Sequence, residues 1–315
     1  RGMVRAVQVA AGPAAFFAAR AALGGASASP AALVCAAVIA AYVVSMCDGA
    51  ELRPRARFSE HAFEVLSRWT RRNYASMGLR TRVLYDAPDA ITPDKRFIFA
   101  LHPHGVMSYC HGVLITDEGF CARSPPATRR ALGASALFAI PFWRDMLLAV
   151  GAVDARRSVA EACLHAGLSL SVLPGGEREQ LLAMYGDHAA FVHSRRGFVR
   201  LALRHGVPVV PCYCFGETST FRTSAWLLEA RTRIASLCTV ALPLFWGRSW
   251  MWPASPIPAN LVLCVGTPLD PGPPREAPSD AEVDALHARY VESLAALFDK
   301  HKEEAGHPCA CLRLL

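Results

Sequence analysis

The chain runs to 315 residues, of which 53% are hydrophobic and 19% charged, with a mean hydropathy of +0.24. That composition excludes a disordered chain, which would be poor in apolar residues, and its charge lies below the roughly 25% of ordinary soluble domains, which points toward membrane contact. A formal charge of +7 and a pI near 9.0 narrow the partners to anionic ones: nucleic acid, a phospholipid surface or a phosphorylated substrate.

No acidic residue precedes Asp48, whereas Arg1, Arg5 and Arg20 are basic. Ala31 to Cys47 is an apolar run broken only by Ser45. Counted from Ser27, it reaches about the 20 residues that span a bilayer and predicts a transmembrane helix. A buried helix of a soluble domain is the alternative. The weaker apolar segment from Val4 to Leu23 contains Pro13 and two arginines. It reads as a second, shorter span or as part of an arginine-rich, acid-poor targeting peptide. Arg53, Arg55, Arg57, Arg68, Arg71 and Arg72 follow the longer run, and the positive-inside rule therefore puts the bulk of the chain in the cytosol. The same arginines suit anionic headgroups, or simply a solvated helix face. Residues 1–50 thus read as membrane-anchoring segments and residues 51–315 as one domain.

From about Arg96 onward strand-like apolar runs alternate with helical patterns, which argues an α/β fold. Phe97–Leu101, Leu168–Leu173, Val207–Phe215 and Leu261–Val265 are the strand candidates. Ser279 and Glu282 form an S-x-x-E capping box, and Val283, Leu286, Tyr290, Leu294 and Leu297 then mark one apolar helix face. Eleven cysteines, odd in number and without C-x-x-C pairs, fit a reduced chain better than a disulfide scaffold.

In open α/β sheets ligands bind beyond the carboxyl ends of the strands, and three candidates end in polar or glycine-rich residues. His102-Pro103-His104-Gly105 follows the first. Imidazole suits proton transfer near neutral pH, and the proline and glycine fix a turn that a substrate can approach. A metal pair or a structural pair of histidines is the competing reading. Pro174-Gly175-Gly176 follows the second, with glycine N–H groups available to an oxyanion and Glu179 one turn on, where it can orient a histidine. Before the third strand, Arg196-Gly197-Phe198 opens a helix on which Arg196, Arg200 and Arg204 make a basic stripe, suited to phosphates or to solvent. That strand ends in Gly216-Glu217. No GxSxG elbow, Walker loop or GxGxxG is present, and no motif supports nucleic-acid binding.

FIFALHPHGVMSY (97–109), PGGEREQL (174–181), SRRGFVRLALRHGVPVVPCYCFGE (194–217) and VDALHARYVESLAALFDKHK (283–302) together resemble the type 2 diacylglycerol acyltransferase family, with its monoacylglycerol and wax-alcohol acyltransferases. The resemblance runs in order from about Asp48 to Lys302. It implies a glycerolipid-acyltransferase-like central sheet flanked by helices behind an N-terminal membrane anchor. It also implies an acyl-CoA-dependent O-acyltransferase of the endoplasmic reticulum membrane with a cytosolic catalytic face, and the lipid droplet surface as a second location. The wider superfamily pairs a histidine with an aspartate five residues on. Here those positions hold Met107 and Tyr109, and Glu179 is the candidate replacement.

On this reading His104, with His102 nearby, removes the proton from the hydroxyl of diacylglycerol or another acylglycerol as it attacks the thioester. Glu179 holds the imidazole, N–H groups of Gly175 and Gly176 stabilise the oxyanion, and Arg196 meets phosphates of CoA. Pro103, Gly105, Pro174, Gly197, Phe198 and Glu217 complete the candidate substrate site. Acyl-CoA enters as co-substrate, with no resident cofactor and no metal; the phospholipid membrane is the expected partner, and an oligomer is compatible. Two rivals stand beside it: a membrane-anchored metallohydrolase using His102, His104 and His111, and a non-catalytic lipid-binding relative.

Overall fold

The computed structural model describes residues 30–238, 241–249 and 251–315; the segment from Val4 to Leu23 lies outside them. The longer apolar run forms the helix Pro30–Ser45, and the stretch Val34–Leu52 is long and apolar enough to cross a membrane by length and composition. Val34, Val38, Ile39 and Val44, which point to different sides of this helix, are 58–69% exposed. Its last turn is tied to the body. The Tyr42 ring stacks on Phe142, and its hydroxyl donates to Asp145 at 2.5 Å. Just below, the buried guanidinium of Arg144 donates to Asp48 at 2.6 Å and Glu51 at 2.7 Å. Arg57 bridges Asp48 and Asp145, at 2.8 Å each.

The body is built on a seven-stranded sheet: β1 (Leu79–Tyr85), β2 (Ile98–His102), β3 (Arg129–Gly133), β4 (Ala152–Asp154), β5 (Ser169–Val172), β6 (Val209–Phe215) and β7 (Ala259–Val265). The spatial order is β1-β7-β6-β2-β5-β3-β4. β6, β2, β5, β3 and β4 run parallel; β7 is antiparallel to β6, and β1 parallel to β7. All five parallel strands therefore present their carboxyl ends at one edge.

Alternation with period two distributes the strands between two cores. Ile98, Ala100, Val209 and Tyr213 pack with Leu286, Tyr290 and Leu294 of the helix Asp280–His301 and with Phe198 and Leu201 of the helix Gly197–His205. Phe99, Leu101, Val210 and Cys212 pack on the opposite face, with Tyr74 of the helix Glu60–Ser76 and Val113 of the helix Tyr109–Thr116. The capping box at Ser279 forms as expected, with both reciprocal bonds. The four strand candidates appear, shifted by one or two residues. The other three strands carry too little apolar signal: β1 alternates with exposed Arg80 and Arg82, β4 has three residues, and β3 opens with two buried arginines. Arg129 lies over the Phe120 ring and donates to the Ser124 and Leu114 carbonyls.

Candidate active site

β2 runs into the His102–Tyr109 turn at the carboxyl edge, between the ends of β5 and β6. Two buried carboxylates hold that turn from opposite sides. Glu179 belongs to the helix Gly176–Leu182, which follows β5 through the Pro174-Gly175 turn. Its Oε2 accepts from His102 Nδ1 at 2.9 Å and from the Phe191 N–H at 2.9 Å, and its Oε1 accepts from the backbone N–H of His104 at 2.5 Å. This differs from the expected arrangement: the ring that Glu179 holds is that of His102, and His104 is held through its backbone. The neighbouring Gln180 adds a bond from its side-chain amide to the Val106 carbonyl at 2.7 Å.

From the other side comes Glu217, beyond β6. It is fully buried and accepts the N–H groups of Tyr109 at 2.9 Å and Cys110 at 2.8 Å, the orphan donors of a helix start. Burial pushes its carboxyl up to about 8 against the lowering effect of those two donors. The side chain lies where a Cβ on Gly105 would be, within 2.6 Å of its Cγ, and Gly105 has a φ of +59°. Glycine is required there both by conformation and by space. Glu217 thus shapes the turn from beneath.

The two histidines differ in access. His102 is fully buried, and its Nε2 has no hydrogen-bond partner among the described residues. His104 is half-buried. Its Nδ1 lies 3.1 Å from the Gly105 carbonyl and 3.0 Å from Ser108 Oγ. A carbonyl only accepts, so this contact favours the tautomer with the proton on Nδ1 and an acceptor at Nε2. Burial lowers the His104 pKa, with the Glu179 charge acting the other way, so the ring is neutral at neutral pH.

The remaining candidates divide. Pro103 lines a narrow cleft beside Glu179 with Leu182, Met184 and Phe191. Gly175 must be glycine because a Cβ there would fall 1.9 Å from Glu179 Oε2. The Gly176 N–H closes a turn onto the Leu173 carbonyl and, so engaged, does not face a substrate as expected. The arginine stripe is paired: Arg196 with Asp284 at 2.5 Å, Arg200 with Asp280 at 2.7 Å and Arg204 with Glu161 at 2.8 Å. Phe198 packs edge-on against Tyr290 in the core, and Gly197 begins its helix. Arg195, which the stripe pattern passes over, reaches the turn instead and donates to the Gly175 carbonyl at 3.0 Å. His111 sits on the following helix, its pKa driven down to about 4 by burial. Among the described residues no three His, Cys, Asp or Glu side chains converge as a metal-ligand set.

A mostly parallel α/β sheet carries, at its carboxyl edge, an HPHG turn clamped by Glu179, and the chain that bears it is similar to acyltransferases. The family model for diacylglycerol acyltransferase matches residues 33–313. A human 2-acylglycerol O-acyltransferase 3 is 33% identical over 242 residues, covering 71% of this chain and 70% of that protein. A mouse acyl-CoA wax alcohol acyltransferase 2 is 34% identical, covering 69% and 68%. A diacylglycerol O-acyltransferase 2 of Dictyostelium discoideum is 32% identical, covering 75% and 73%. A crystal structure of the 1-acyl-sn-glycerophosphate acyltransferase PlsC from Thermotoga maritima superimposes at a TM-score of 0.45 with 18% identity, over 74% of this chain and 80% of that one. The chain belongs to the diacylglycerol acyltransferase family.

Proposed function

We propose that the chain transfers a fatty acyl group from acyl-CoA to the free hydroxyl of diacylglycerol, yielding triacylglycerol and CoA. The observation that carries the mechanism is the half-buried, neutral imidazole of His104 at the carboxyl edge of the sheet. Its Nε2 accepts the hydroxyl proton as the oxygen attacks the thioester carbonyl. The carbon–sulfur bond then breaks, and the departing CoA sulfur takes that proton back. General-base catalysis of this kind is worth roughly 10²–10⁴-fold. Glu179 and His102 position the turn that carries the base. Direct transfer is favoured over an acyl-enzyme because the thiol beside the turn is a poor nucleophile: burial raises Cys110 well above the usual range. Acyl-CoA is a co-substrate, and the reaction needs no resident cofactor or metal.

Residues 1–50 act as the membrane anchor and residues 51–315 as the acyltransferase domain, on the cytosolic face of the endoplasmic reticulum or on lipid droplets. A helix apolar on every side and uncovered by protein suits a lipid surrounding. Relatives named for 2-acylglycerol and wax-alcohol acylation are as similar to this chain as those named for diacylglycerol, which favours monoacylglycerol or a fatty alcohol as the second reading. Microsomes containing the protein, offered labelled acyl-CoA with each acceptor in turn, should form triacylglycerol fastest. A faster diacylglycerol or wax-ester product reassigns the acceptor, and no acyl product with any of the three defeats the catalytic reading.

A further inference from the structure

Four non-glycine residues adopt positive φ among those described: Arg57, Ser108, Phe142 and Leu227. Phe142 (φ 63°) and Leu227 (φ 53°) are large and apolar, the kind of side chain for which this region is a genuine outlier. Backbone strain persists only where something over-determines it, and it clusters at sites with a task. Here the strain buries nothing. Phe142 is 77% exposed beside Ile140 at 49% and Trp143 at 45%, and Leu227 is 55% exposed beside Trp226 at 68%. Each strained residue holds an aromatic-rich tip out from the protein.

The topology puts the two tips on either side of the active site. Phe142 lies on the excursion that leaves the carboxyl end of β3. Leu227 lies on the excursion that leaves the carboxyl end of β6 and returns as β7, along which Trp246 and Trp252 are also exposed. In the order β6-β2-β5-β3, the strands carrying the histidine turn and the Glu179 turn stand between them. Both tips therefore leave the edge at which His104 opens.

The first tip is continuous with the apolar Pro30–Ser45 helix. Tyr42 stacks on Phe142 with ring centroids 5.2 Å apart, and the Phe142 N–H donates to the Tyr42 hydroxyl at 2.7 Å. Phe142 thus stands at the height where the apolar helix gives way to Asp48 and Arg53, the level at which tryptophan and tyrosine gather in a bilayer. The second tip combines Trp226, Trp246 and Trp252 with exposed Arg222 and Arg248, an aromatic and cationic mixture suited to anionic headgroups.

We infer that the carboxyl edge of the sheet docks on the phospholipid bilayer through these two tips, which straddle the active site and open it onto the headgroup layer. The inference rests on the acylglycerol reading for its purpose, since such an acceptor is dissolved in the bilayer. It predicts that lipid contacts both tips in addition to the N-terminal helix.

The test uses the full chain in lipid nanodiscs whose phosphatidylcholine is brominated in the upper acyl chain, a quencher of tryptophan emission. Brominated lipid should quench the wild-type protein, and the quenched fraction should fall in Trp143→Phe and in Trp226→Phe/Trp252→Phe. A fraction that stays constant or rises in either variant overturns the docking of that tip. Two protein copies per disc with no quenching would give the surface to a second copy and overturn it as well. In parallel, Phe142→Asp and Trp226→Asp should raise KM for a bilayer-embedded acceptor and spare transfer to a short-chain, water-soluble one. Equal loss with both acceptors overturns the role. If the wild-type protein acylates neither acceptor, the acyltransferase reading fails, while the quenching experiment still decides the docking.

Discussion

Glu179 holds the ring of His102 at 2.9 Å but reaches His104 only through its backbone N–H, at 2.5 Å. The carboxylate thereby fixes where the turn carrying His104 lies, and a third donor, the Phe191 N–H, fixes the carboxylate. Glutamine at position 179 has one acceptor oxygen and a donating amide, so at least one of the three buried donors would face another donor. Hydrogen bonds to charged groups contribute about 1.5–3 kcal/mol, and an unsatisfied buried donor costs about as much. Glu179→Gln should therefore lower kcat by roughly 10–100-fold and lower the thermal midpoint together. A variant with wild-type kcat would show that the carboxylate does not set the geometry of the turn.

Adjacent glycines of the PGG turn should respond differently to the same substitution. Gly175 has ordinary helical dihedrals, so alanine is unstrained there, but its methyl would fall 1.9 Å from Glu179 Oε2. Gly176 has a φ of +54° with no described atom within 4 Å of a Cβ, so alanine there meets only the left-handed penalty of about 1–2 kcal/mol. Gly175→Ala should abolish most activity by displacing the carboxylate. Gly176→Ala should lower the melting temperature modestly and keep kcat. Rates and melts of the two variants side by side decide it, and the reverse ranking would sink the explanation.

His104 should act as a base from its neutral form, and burial holds its pKa below the ordinary imidazole value. The sign follows: protonation inactivates, so the rate rises with pH through a pKa below about 6.5 and is flat at neutrality. His104→Ala should cost about 10²–10⁴ in kcat. The acid limb of kcat for transfer to a neutral acceptor reports the group directly. A limb centred above about 7 would point to a different base.

The central α/β sheet was legible because β2, β5 and β6 are buried on both faces, β2 and β6 as nearly continuous apolar runs and β5 with small serines alternating with its leucine and valine, and because motif residues stand at their carboxyl ends. β3 was hidden because its first two residues are arginines, which satisfy carbonyls of neighbouring segments rather than solvent. Because HPHG and PGG-x-x-E both follow strand ends, Glu179 was expected to orient a histidine. Which one depends on how the turn folds around Gly105 and on Glu217, which arrives from more than a hundred residues away. The partners of the arginine stripe were hidden for a similar reason: Asp280 and Asp284 lie far along the chain, and helix periodicity says nothing of what faces it.

Stability should pass through a maximum near pH 6.5, because buried groups of opposite type titrate on either side of it. Burial lowers His111 and His188 to about 4, so between about 4 and 6.5 the unfolded chain binds more protons than the folded one and stability rises with pH. At about 1.4 kcal/mol per unit, each contributes at most roughly 3 kcal/mol. Glu217 acts in the opposite sense. Its carboxyl is raised to about 8, so the folded chain holds the extra proton between about 4.5 and 8, and stability falls as pH rises through that window. Below about 6.5 the two histidines outweigh the one carboxyl; above it only the carboxyl remains. Urea midpoints measured from pH 4.5 to 8.5 should trace this curve, and Glu217→Gln should flatten its alkaline side and steepen its acid side, where the carboxyl no longer offsets the histidines. An alkaline fall that survives in Glu217→Gln would assign it to another group.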